Sequence, residues 1–281
     1  MKRNKRILLT LASTIVPVST AAIVVSCGSG ESYNEYAKDF VLGTAGRENY
    51  NKETKTLDLS KTEIRFIPQG AFSAPALYAL FVKGSAAANP NPQFLAPDGI
   101  FDIKKRSINI DKIILPASLE VIEKGAFSDL GLKEVQFDIS SDKLTKIDAE
   151  AFANNRISTL TLPTSIKEIE EKAFLNNQLT SVNLEALTNL KKLSVGVFAK
   201  NKLTELNLTN INTIEESALA LNEFKNLELH KDLSRVSEKT FFFIGTVTVE
   251  PVSLSVLNAS VKEFLKQQLV NNDKLNYSIV E

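Results

Sequence analysis

Residues 172–184 read KAFLNNQLTSVNL, a Phe followed by paired Asn and then by apolar residues at Leu179, Val182 and Leu184. The same order returns along the chain. With that Phe as origin, Phe72, Phe127, Phe152, Phe174 and Phe198 head similar segments, and Leu219 fills the slot once. The eighth residue after each origin is apolar (Leu80, Val135, Leu160, Val182, Leu206, Leu227), and so is the tenth (Val82, Phe137, Leu162, Leu184, Leu208, Leu229). Phe101 and Phe241 fit more loosely, ahead of Ile113/Leu115 and Val247/Val249, so that successive origins lie 21 to 29 residues apart. A sustained period in this range marks a repeat architecture.

A second apolar pair, spaced three apart, precedes the origins: Ile64/Ile67, Leu119/Ile122, Leu144/Ile147, Ile166/Ile169, Leu190/Leu193, Ile211/Ile214 and Leu233/Val236. One unit therefore reads L-x-x-L-x-L, then L-x-x-I, then A-F-x-x-N. Apolar residues two apart belong to a short strand with one face buried, and the polar residues between them face outward. The Phe fills the opposite wall. A single coil of this kind has an inside that it cannot close. Only stacking, with strand hydrogen bonds shared between neighbours, outweighs the entropy of ordering it. The expected fold is a repeat solenoid, mainly β, with a parallel β-sheet on the concave face, irregular or short helical segments on the convex side and a C-terminal capping helix. Asn155, Asn177, Asn201 and Asn222 stand three residues after an origin, where the chain bends into the next strand. Their amides are expected to satisfy backbone groups in the manner of Asx-turns, a structural rather than a catalytic or metal-binding task.

Composition narrows the function classes. The chain of 281 residues balances 33 basic against 33 acidic side chains, yet Lys2, Arg3, Lys5 and Arg6 all precede residue 27. The remainder carries 29 basic and 33 acidic residues, a net charge of −4 by that subtraction, so nucleic acid is not an expected partner. One Cys, one Met, one His and no Trp exclude a disulfide framework and Cys-rich metal sites.

The single cysteine has its own explanation. Four basic residues are followed by an uncharged stretch, Ile7 to Ser26, and then by Val24-Val25-Ser26-Cys27 at its end. This is the basic, apolar, small-residue order of an export signal. The last four residues resemble the lipobox of bacterial lipoproteins. That resemblance implies acylation of Cys27 and cleavage before it. The alternative is an uncleaved membrane-spanning anchor, since the stretch is long enough to cross a bilayer. Both place residues 28–281 outside the membrane; two acyl chains would make the anchoring stable.

At residues 157–174 the chain reads ISTLTLPTSIKEIEEKAF, and at 113–127 IILPASLEVIEKGAF. This L-x-x-L-x-L-P-x-S-L-x-x-I-x-x-x-A-F pattern resembles the treponemal-type, or BspA-like, leucine-rich repeat over roughly residues 55–250. With the lipobox and the Lys/Asn-rich, Trp-free composition, the chain resembles the surface lipoproteins of mycoplasmas. The resemblance implies a curved solenoid displayed on the cell surface, in a family regarded as adhesins or host-protein binders. The chain departs from the pattern where Glu or Asp replaces the usual Gly (Glu123, Asp148, Glu170, Glu215) and where Leu130 takes the Asn position.

The expected organisation is a signal peptide at 1–26, a lipid-anchored tether and N-terminal cap at 27–54, the solenoid at 55–250 and a C-terminal cap at 251–281. Residues 84–112, with three Pro and an Ala run, read as an irregular insertion, a solvated excursion or a recognition loop. Ser260 and Glu263 have capping-box spacing, and Val261, Phe264, Leu265 and Leu269 form the stripe of the capping helix.

Strand residues pointing away from the core fall into columns. One runs Glu134, Thr159, Ser181, Glu205, Asn226; the next Gln136, Thr161, Asn183, Asn207, Glu228; a third ends at His230. Phe81 and Ile114 add apolar side chains at the N-terminal end. About nine strands at ~4.8 Å spacing would form a concave sheet roughly 40 Å long, polar and somewhat acidic, with room for a protein or peptide. Enzyme readings fare badly. His230 is the only histidine, no G-x-S-x-G or phosphate-binding glycine loop is present, and paired carboxylates such as Glu170-Glu171 and Glu215-Glu216 recur at one repeat phase, as a solvated rim would. The expected function is a lipid-anchored surface protein binding an extracellular or host protein or peptide through these columns. It is expected to be a monomer without cofactor or metal. The alternative is a passive surface-coat lipoprotein without a defined ligand.

Overall fold

The computed structural model describes residues 47–77, 99–102, 107–241, 251–271, 275 and 277–280. Cys27, the signal segment, the tether to residue 46 and Phe81 lie outside them.

The L-x-x-L-x-L segments form a first ladder. Thr56–Asp58, Lys112–Ile114 and Glu134–Gln136 pair in parallel with Leu57, Ile113 and Val135 in one row, and Tyr50–Asn51 adds an antiparallel strand beyond Thr56–Asp58. Thr159–Leu160 pairs with Ser181–Val182, and Asn226–Leu229 with Val252–Val256, which pairs in turn with Tyr277–Ile279. Val135 is buried between two exposed neighbours, as a one-sided strand requires. The ladder is interrupted rather than continuous: the coil of Leu206 and Leu208 forms no strand.

The L-x-x-I pairs, whose spacing alone assigned them no element, form a second ladder. Phe66–Ile67, Val121–Ile122, Lys146–Ile147 and Glu168–Ile169 pair in parallel, as do Lys192–Leu193, Thr213–Ile214 and Arg235–Val236. Each strand is two residues long, too short for an alternating pattern to show in the sequence. A 3-10 turn, Leu184–Ala186, follows a first-ladder strand.

The Phe turns make the third seam. Around Phe152, the N–H groups of Glu150, Phe152 and Asn154 donate to the carbonyls of Glu171, Ala173 and Leu175 in the next coil at 2.8–2.9 Å. The rings stand in file: Phe72, Phe127, Phe152, Phe174 and Phe198 follow one another at 5.3, 5.1, 5.3 and 5.8 Å between centroids, with interplanar angles of 15° or less. The residues two before and two after the Phe adopt left-handed backbone, with φ of 58° at Glu150, 58° at Asn154, 55° at Asn176 and 61° at Lys200. That conformation suits Gly and Asn and costs other residues about 1–2 kcal/mol. Lys200 is exposed. Lys200→Asn is therefore expected to raise stability by about 0.5–1 kcal/mol, read as a higher melting temperature; a fall would contradict the assignment of strain.

Phe101 does not head a coil. Phe72 stacks directly on Phe127, and Thr56–Asp58 pairs directly with Lys112–Ile114. The intervening stretch is an excursion between adjacent coils, and within it Phe101–Asp102 pairs antiparallel with Ser107–Ile108. Leu80 and Val82 lie outside the described residues; the row beside Leu57 and Leu59 is that of Ile113 and Leu115. Leu254 and Val256 stand opposite Leu227 and Leu229, while Val247 and Val249 lie outside the described residues.

The helix Ala259–Asn271 connects two parallel first-ladder strands and buries Val261 and Leu265. Asn258 caps it, its Oδ1 accepting from Val261 N–H at 3.1 Å, in place of the capping box expected at Ser260. Phe264 is 39% exposed and so lies off the buried stripe. Phe241 and Tyr277 close the core at this end, ring edge to ring face at 6.4 Å.

Candidate functional site

Four asparagines hold the coils in step. Asn155, Asn177, Asn201 and Asn222 are all buried. The Nδ2 of Asn177 donates to Phe174 O in its own turn (3.2 Å) and to Phe152 O in the preceding coil (2.9 Å), while its Oδ1 accepts from Ile157 N–H (3.1 Å). Asn155, Asn201 and Asn222 repeat this with Leu132, Leu179 and Leu203 as N–H donors. The expected Asx-like role is thus extended across coils. Leu130 breaks the series because the chain leaves the coil after Phe72; the corresponding N–H, that of Leu77, bonds Ser73 O instead.

With the seams occupied, the outward side chains of the first ladder remain as candidates. Glu134, Gln136, Thr159, Thr161, Ser181, Glu205, Asn207, Asn226 and Glu228 are exposed, and Ile114, Asn183 and His230 half-buried. Registered pairing sets Ile114 beside Gln136, Thr159 beside Ser181 and Asn226 beside Ser253. Glu134 also ion-pairs with its row neighbour Lys112 at 2.7 Å. Gln136 and Thr161 are not joined by a shared ladder row.

Some of these side chains are already engaged. Asn183 receives Leu162 N–H and donates to Leu162 O, both at 2.9 Å, so its amide replaces a backbone rung where the chain turns into Leu184–Ala186. Asn207 Oδ1 accepts from the N–H and hydroxyl of Thr209 at 3.0 and 2.6 Å. His230 Nδ1 lies 3.4 Å from the Asp232 carboxylate. Asp138 is held below the usual carboxylate range by the Ser140 hydroxyl at 2.6 Å and then by the Ser140 N–H, and Asp58 likewise by Ser60. Both stay anionic, consistent with the acidic character of this face.

Sequence reasoning missed the C-terminal extension of the face. Ser253 and Ser278 prolong the Asn226 row, and Ser255 the Glu228 row. The alternation Val252-Leu254-Val256 could have revealed it. Among the described residues no group of three or more His, Cys, Asp or Glu could hold a metal ion, and no helix is long and apolar enough to cross a membrane.

The family model for the BspA type leucine-rich repeat region (6 copies) matches residues 104–222 and 145–268, together more than half of the 281 residues. The chain belongs to the BspA-type leucine-rich repeat family. Among solved structures this BspA-type protein is similar to the crystal structure of the pneumococcal vaccine antigen PcpA, at 19% identity over 61% of this chain and 67% of that one, with a TM-score of 0.27. It is also similar to a leucine-rich repeat protein from Bacteroides ovatus, at 16% identity over 61% and 52%, with a TM-score of 0.33. The chain therefore spans about half the length of the Bacteroides ovatus protein. No curated protein matches it. Its carboxylates enter ion pairs such as Lys146–Glu168 and Arg65–Glu120 along the coils.

Proposed function

We propose that this BspA-type protein is a monomeric, lipid-anchored receptor on the extracellular face of the cell membrane, holding an extracellular or host protein or peptide on the outward face of its first ladder. Acylated Cys27 supplies the anchor, and Glu134, Glu205 and Glu228 supply charge to the binding face. The observation that carries the reading is the division of labour among polar residues: the buried asparagines serve the coils, whereas the exposed ladder residues are repeated at one phase and mostly free of such duties. The family is one often associated with adhesion-type surface proteins, which supports the same reading. Such a face favours a partner with basic side chains.

A screen of the purified chain against host surface and matrix proteins should give saturable binding. The triple variant Glu134→Lys, Glu205→Lys, Glu228→Lys is expected to weaken it roughly tenfold or more while leaving the melting temperature within a few degrees, because exposed positions contribute little to stability. Saturable binding to none of them would favour the surface-coat alternative. The anchor has its own test: metabolic labelling with palmitate should mark the chain and disappear in Cys27→Ser, and labelling that persists would remove Cys27 as the site.

A further inference from the structure

The second ladder ends at Arg235–Val236. In the preceding row, Asn212 O accepts from the N–H groups of Ser234 and Arg235 (2.9 and 3.1 Å), and Ile214 O accepts from Ser237 N–H (2.8 Å). The equivalent carbonyls one coil further, Ser234 O and Val236 O, receive no backbone donor among the described residues. The helix Ala259–Asn271 packs on Val252–Val256 and Tyr277–Ile279, and its Ser260, Val261 and Phe264 face this edge across a groove. The groove is open, with a volume of about 660 Å³, and in it the exposed Phe264 ring and the edges of the buried Ile214, Val236 and Val261 stand among polar neighbours such as Glu215, Ser237 and Lys239. A strand edge whose carbonyls take no backbone donor among the described residues, beside a groove with an exposed ring in its wall, is the arrangement used in strand addition.

We propose that this groove binds an extended peptide as the next parallel strand of the second ladder, and that the peptide carries an acidic residue followed by a branched aliphatic one. The ladder itself sets this order. The second strand residue is buried and apolar in every coil, as at Ile147, Ile169 and Val236. The first residues sit side by side facing out, and Glu168 there lies 3.8 Å from Lys146 in the neighbouring row. Arg235 occupies that first position at the edge, is exposed, and calls for an anion beside it. Past Ser237 the groove is lined by Glu215, Glu216 and Glu238 together with Lys239, so its far end carries an excess of negative charge. A small residue and then a basic one complete the preferred sequence.

The probe is a fluorescein-labelled, amidated octapeptide, TSIKEISK, which follows the chain's own second-ladder segment at 164–171 with a small and a basic residue at its end. Titrated with the full-length chain in detergent, its anisotropy should saturate at one peptide per chain. Arg235→Glu and Phe264→Ala should each weaken binding roughly tenfold, as loss of a charged partner or an apolar wall does. Both positions are exposed, so circular dichroism should be unchanged. The charge-reversed peptide TSIKKISK should prefer the Arg235→Glu variant to the natural chain. No saturable binding, or binding that Arg235→Glu leaves unchanged, would overturn the proposal; the second result would place the peptide on another edge, such as Phe66–Ile67.

Discussion

Asn177→Ala is expected to lower the unfolding free energy by about 2–3 kcal/mol, because the buried Ile157 N–H is left without a partner at a cost of roughly 1–3 kcal/mol, while Phe152 O and Phe174 O each lose one of two amide donors and keep those of Asn155 and Asn201. The side chain serves three backbone groups at once: Phe152 O, Phe174 O and Ile157 N–H. All three lie in the buried seam between two coils, where water cannot replace the amide without opening the stack. Asn177→Asp keeps the acceptor for Ile157 but turns an oxygen toward two carbonyls, and so should destabilise at least as much at neutral pH. Asn207→Ala is the matched control, since that amide serves only its own exposed turn with Thr209; a loss of about 1 kcal/mol or less is expected there. Urea denaturation of the three variants measures the differences. Equal small losses at positions 177 and 207 would show that the rung does not hold the coils together.

Phe174→Ala should cost about 4–6 kcal/mol, combining the transfer and cavity penalty of a fully buried ring with the loss of two stacked ring contacts. Phe174 lies between Phe152 at 5.3 Å and Phe198 at 5.8 Å, and none of its surface is exposed. In a solenoid each coil contacts only its neighbours, so the damage is local in space but divides the stack. The denaturation curve should therefore broaden or split, with a smaller slope as the coils on either side unfold separately. Phe264→Ala, at a ring 39% exposed on the helix, should cost far less. A loss below about 2 kcal/mol with an unchanged slope would mean that the ring file contributes little beyond filling space.

These two effects rest on the features most legible in the sequence. The Phe and Asn recur at fixed offsets from one another because each must meet its own counterpart one coil away, and a requirement of that kind writes itself directly into spacing. The second ladder was less legible: its strands are two residues long, and a pair spaced three apart such as Ile166/Ile169 does not show the alternation of a strand. Phe101 misled for a different reason. An excursion inserted between Phe72 and Phe127 carries its own apolar residues, and spacing alone cannot tell a loop that interrupts a coil from a coil with a long turn. Only the pairing of Leu57 with Ile113 settles it.

The candidate site was legible as positions and not as roles. Strand alternation placed Glu134, Thr159 and Glu228 outward, as the structure has them. Asn183 stands in the same column as Glu228, yet its amide is engaged by Leu162, a distinction that depends on the backbone bending away at Leu184. The open edge at Val236 likewise has no sequence signature. It arises because the chain, after its last coil, enters a helix that packs on the first ladder and supplies no further row to the second.

The central claim is that neighbouring coils lend each other an interior that none possesses alone, with the Phe rings as its spine. Nuclear Overhauser contacts between ring protons of selectively labelled Phe test it directly. Stacking at 5.1–5.8 Å predicts strong cross-peaks for Phe127–Phe152, Phe152–Phe174 and Phe174–Phe198, and none for the skipped pairs Phe127–Phe174 and Phe152–Phe198. Absent contacts between consecutive rings, or contacts between skipped ones, would contradict it.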